Sequence, residues 1–105
     1  MTERKPAGEV ENVAEMRGCI DAVDAELMTL LAERWSYTER AAELKAREGL
    51  AAAAPGRVAA VLDNVRSRAE AKGLDGEMVA AMWKIMIDAI IAREEEVLGK
   101  DGVDG

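Results

Sequence analysis

The chain has no histidine, a single cysteine and three aromatic side chains among its 105 residues. Without histidine, Ser/His and Cys/His nucleophilic machinery is excluded, as are zinc sites of the usual spacing. Cys19 alone admits no intrachain disulfide, and among helix-forming neighbours it reads as a packing residue. Long apolar runs are missing too. The opening stretch MTERKPAGEVENVAE carries charges throughout instead of the apolar core of a signal peptide, and nothing later approaches membrane-spanning length. A cytoplasmic protein with no membrane partner is therefore expected. Basic residues are outnumbered, 14 against 21 acidic, for a net charge of −7. Long-range repulsion then weighs against nucleic acid and anionic membranes.

Half of the residues are apolar, and Ala, Leu, Val, Met, Glu and Arg dominate, a balance that favours an all-α protein of one small domain. One sustained helical pattern runs from about Val10 to Glu48, with Val13, Met16, Ile20, Val23, Leu27 and Leu30 spaced alternately three and four apart. Gly49 and the stretch GLAAAAPGR interrupt it. Pro55 suits the first turn of a second helix reaching about Lys72, with Val58, Val61, Leu62, Val65 and Ala69 inward and Gly73 as its cap. Asp75 caps a third helix to about Leu98, whose broad apolar face is Val79, Met82, Trp83, Ile85, Met86, Ala89 and Ile90. The expected organisation is a flexible segment 1–12, a helical domain 13–98 and a flexible tail 99–105. No strand pattern supports a sheet.

A first helix of roughly 35 residues is about 50 Å long, whereas a compact globule of this size is about 33 Å across. Its seam of Ile, Val and Leu would overhang and stay wet in a monomer. A second copy in a two-fold homodimer is expected to cover it.

The informative residues are charges placed where the periodicity calls for something else. Arg34 takes the seam step between Leu30 and Tyr37, and no acidic residue lies three or four positions away. Lys45 follows 11 residues later, within about 20° of the same face and roughly 16 Å further on. Arg17 points about 100° away, so it would join such a site from the partner subunit; its ordinary alternative is an ion pair with Asp21. Arg57 opens the second helix, also without a nearby acid. Glu94 has Ile90, Ile91, Val97 and Leu98 as helical neighbours, so its carboxylate must be paired or protonated. Singly, each reads as a salt bridge or a snorkelling side chain. Together, the converging cations would repel one another unless an anion sits among them, and a small dicarboxylate is the expected ligand. Met78, Met82, Met86, Trp35, Trp83, Asp21 and Asp24 keep core or surface roles.

The stretches MRGCIDAVDAELMTLLAERWSYTERAAELKAREGL and PGRVAAVLDNVRSRAEAKGLD, with the helix ending IIAREEE, resemble the all-helical (type II) chorismate mutase family over roughly Ala14 to Leu98. The Arg of MRGCID, the Arg of LLAER, the Lys of AAELK and the Arg of PGR all fall at the family's spacing. The resemblance implies an intertwined three-helix dimer with two active sites, each taking Arg17 from the other chain. It implies rearrangement of chorismate to prephenate with no cofactor and no covalent catalysis. Arg17 and Arg34 would grip carboxylates, Arg57 would help close the site, and Lys45 would face the ether oxygen where negative charge develops. Glu94 matches a position that often carries Gln, a hydrogen-bond donor to that oxygen. An ionised carboxylate donates none, so the resemblance implies that Glu94 works as the neutral acid.

Two departures concern the substrate. Ala54 and Val58 stand where many family mutases have acidic residues that recognise the ring hydroxyl, and PGRVAAV resembles the related isochorismate-pyruvate lyases, which eliminate pyruvate and leave salicylate. That lyase activity, or mutase activity on a chorismate analogue, is the enzymatic alternative. A catalytically silent helical dimer with an interaction or regulatory role is the alternative of another class.

Overall fold

The computed structural model describes residues 4–51 and 55–98, so Ala54 and the tail 99–105 lie outside the described residues. A 3₁₀ turn, Ala7–Glu9, precedes three helices: α1, Val13–Glu48; α2, Pro55–Ala71; and α3, Gly76–Leu98. There is no strand among the described residues.

Each helix end has a local cause. Helix α1 begins at Val13 and not at about Val10, because Asn12 Oδ1 accepts the backbone N–H of Glu15 at 2.8 Å and caps the helix there. Its last turn closes with Leu50 N donating to Lys45 O at 2.9 Å, beside Gly49 at φ +70°, a conformation that disfavours a side chain. The same motif ends α2 one residue earlier than the periodicity suggests. Leu74 N donates to Ala69 O at 2.9 Å, and Gly73 sits at φ +78°. Asp75 then caps α3, its Oδ1 accepting from Glu77 N at 3.0 Å and Met78 N at 3.1 Å.

The chain divides within α1 into two compact units, one ending at Tyr37 and the other starting at Thr38. In the first unit, the seam residues Val13, Met16, Ile20, Val23, Leu27 and Leu30 are all exposed. Arg4 and Lys5 tie the segment before α1 to the helix through Glu26 and Glu15. In the second unit, α2 and α3 pack together as a helical hairpin joined by a short turn. Its core is Ala42, Ala51, Val65, Ala69, Ala80, Ile87 and Ile90.

The inward face of α3 agrees with the expected one in part: Ile90 is buried and Val79, Trp83 and Met86 are half-buried. Gly76, Ala80, Ile87, Ile90 and Glu94 are buried, whereas Met82 and Ala89 are exposed and Ile85 keeps 74% of its surface. Apolar residues occupy more of the circumference of α3 than the α2 face covers, and periodicity alone cannot say which part turns inward. The inward face expected of α2 agrees with the structure: Val65 and Ala69 are buried, and Val58, Val61 and Leu62 are half-buried.

Removing the α3 cap should be measurable. Asp75→Ala is expected to lower unfolding stability by about 1 kcal/mol, with Asp75→Asn losing less, in denaturant titrations at one fixed protein concentration.

Candidate active site

Of the five charged candidates, the structure brings two together. Lys45, in the last turn of α1, donates from Nζ to Glu94 Oε2 at 2.7 Å. Glu94 lies on the inward stripe of α3, one turn beyond Ile90, and keeps only 4% of its surface. The Lys45 side chain keeps 27%, its stem against the core and its ammonium at the carboxylate. The requirement that a carboxylate among apolar neighbours be compensated is thus met by a cation 49 residues away in sequence. Beside this pair, Arg93 Nε lies 3.6 Å from Glu39 Oε1, an exposed contact between α3 and α1 that the sequence reading did not anticipate.

Arg57 belongs to the same unit, in the first turn of α2, and is exposed with no ion pair among the described residues. Val58 follows it, half-buried. Its partner in the substrate question, Ala54, is outside the described residues.

Arg17 and Arg34 belong to the first unit. Arg17 is exposed on α1, and no ion pair with Asp21 is formed among the described residues. Arg34 is half-buried, and its Nη1 is shielded from solvent without a hydrogen-bond acceptor among the described residues. A buried guanidinium N–H without an acceptor is costly, and a carboxylate is the group whose geometry best relieves it. Among the described residues, no three His, Cys, Asp or Glu side chains gather as a metal would require.

Residues 16–95 match the family described as chorismate mutase type II. The chain belongs to that family. Among curated relatives, it is 35% identical over 82 residues to an isochorismate pyruvate lyase of Pseudomonas aeruginosa, covering 78% of this chain and 80% of the lyase. It is 28% identical over 89 residues to a chorismate mutase of Methanocaldococcus jannaschii, covering 85% and 90%. It is also 26% identical over 95 residues to a 4-amino-4-deoxychorismate mutase of Streptomyces venezuelae, covering 90% and 92%. All five charged candidates fall within the span matched to the chorismate mutase family.

The buried pair carries a stability prediction. Lys45→Met leaves the Glu94 carboxylate uncompensated and should cost about 3 kcal/mol. Adding Glu94→Leu should recover most of that loss, which a double-mutant cycle in denaturant would read.

Proposed function

We infer that the protein is a chorismate mutase that rearranges chorismate to prephenate as a two-fold homodimer. Membership of the family carries the reaction class. The observation in the fold that carries the reading is the buried meeting of Lys45 with Glu94, an ammonium and a proton-bearing or proton-accepting group at one point of an otherwise apolar stripe. The shielded Nη1 of Arg34 supports it, because a substrate carboxylate supplies the missing acceptor.

The chemistry needs no nucleophile. A carbon–oxygen bond breaks as a carbon–carbon bond forms within one molecule, so the protein has to hold a compact chair conformer and stabilise charge on the ether oxygen. In this reading, Arg34 and Arg17 of the partner hold the two carboxylates and Arg57 closes over them. Lys45 leaves Glu94 on substrate arrival and donates to the ether oxygen. Glu94 donates to the same oxygen only when it carries a proton. The exposed apolar seam of the first unit supports the second copy, which would also bring Arg17. A cytoplasmic location belongs to the same reading.

A second reading has its own support. The Pseudomonas relative is named as an isochorismate pyruvate lyase, and Val58 stands where an acidic residue would meet the substrate's ring hydroxyl in many mutases. Separate incubations with chorismate and isochorismate, followed by NMR, decide between them. Prephenate from chorismate is the expected product; salicylate with pyruvate from isochorismate would establish the lyase, and turnover of neither would favour the silent dimer.

Three outcomes follow for variants. Arg34→Ala and Lys45→Ala should each lower kcat/KM on chorismate by about a hundredfold or more in a steady-state assay. Glu94→Gln, whose amide donates a hydrogen bond without needing a proton, should keep turnover of chorismate in the same assay, and loss of turnover in that variant would exclude a donor role at position 94. Arg17→Ala and Arg34→Ala chains, each impaired alone, should recover about a quarter of parental activity when mixed equally and allowed to exchange, because half the dimers then hold one intact site of two.

A further inference from the structure

Ala42 is the buried residue of α1, and a single methyl group contributes little apolar burial. Charge is better placed to fix the register of this part of α1 on α3. Two ion pairs of opposite polarity join the helices, all four residues lying in the second unit. Glu39 Oε1 lies 3.6 Å from Arg93 Nε, and Lys45 Nζ lies 2.7 Å from Glu94 Oε2. On α3 the partners are consecutive. On α1 they are six positions apart, about 9 Å along the axis, and each is about 60° to one side of Ala42. A slide or rotation that exchanged the partners would set Glu39 against Glu94 and Lys45 against Arg93, so like charges oppose it. The pairs differ in exposure: the Glu94 side chain keeps 5% of its surface, whereas Glu39 keeps 42% and Arg93 50%.

We propose that Glu39 and Arg93 are positioning residues: their ion pair keeps α3 in register on α1 while substrate draws Lys45 away from Glu94. The inference rests on the function proposed above, in which that separation occurs. When the inner pair opens, the outer pair still joins the two helices. Arg93 adjoins Glu94 in the chain, so a shift of α3 by one residue moves both by about 1.5 Å along the axis. A displacement of that size at a reacting centre is enough to lower the rate. Neither Glu39 nor Arg93 has to touch substrate for this; they act through Glu94 and Lys45.

The test is steady-state kinetics on chorismate with the full chain, at about 25 mM and about 1 M salt, with the folded fraction of each variant checked by circular dichroism. At low salt, Glu39→Gln and Arg93→Gln are each expected to lower kcat about threefold with KM little changed, the size set by an exposed ion pair. The double variant should lose no more than either single, because one interaction is removed in all three. Arg93→Lys, which keeps the charge, should recover most of the loss. Glu96→Gln removes the other carboxylate near Arg93, 3.4 Å from its Nη1, and should keep the parent's kcat. At high salt the gap between parent and variants should close, which a loss of packing would not do. Unchanged kcat in both single variants, additive losses in the double variant, or a gap that persists at high salt would overturn the positioning role. A parent that leaves chorismate unconverted would instead overturn the function on which it rests.

Discussion

A carboxylate buried at the end of an apolar stripe has to be compensated, and among the described residues the compensating charge is Lys45. Glu94 reaches its place because α3 turns the row Gly76, Ala80, Ile87 and Ile90 inward, and the same rotation carries position 94 into the core. Burial removes water from the carboxylate, and a fixed positive charge within hydrogen-bond distance replaces part of that solvation. The last turn of α1 supplies it. Lys45 is held there by a helix end defined by Gly49 and the Leu50 N–H to Lys45 carbonyl contact, so backbone capping and side-chain electrostatics meet at one residue.

The pair joins fold to chemistry. A lone ammonium in this position would be a strong anion trap, and a lone carboxylate would be a liability for stability. Held against each other, they keep the protein close to neutral at that point; in the proposed function, substrate separates them. Arg34 presents the complementary case, a shielded donor without an acceptor among the described residues.

Much of the fold was legible in the sequence because its signals are local. The three helices, the Asp75 cap, the Gly73 terminator and the inward row of α2 depend on residues a few positions apart. Among the candidate residues, the isolation of Arg34 and Glu94 from opposite charge at helical spacing was visible for the same reason. What escaped were long-range features. The α3 stripe was ambiguous because its apolar residues occupy more than one face, and only packing against α2 selects Ala80 and Ile87 over Met82 and Ile85. The fastening of Arg4 to Glu26 spans 22 positions, beyond any periodicity. Two adjacent cations ahead of two glutamates 11 apart on one helix face were the available signal, and it becomes readable only once the segment before α1 is known to fold back.

In the proposed function, the Lys45–Glu94 pair also acts as an entry threshold. A resident carboxylate already satisfies the ammonium, so an incoming ion must outcompete it. Chloride or another small monovalent ion has one charge and no directional acceptor to offer, and it loses that contest. Under the proposed function, a substrate that offers the lysine an oxygen along with further contacts wins that contest. In that reading, discrimination between metabolite and background electrolyte is set before any bond is broken.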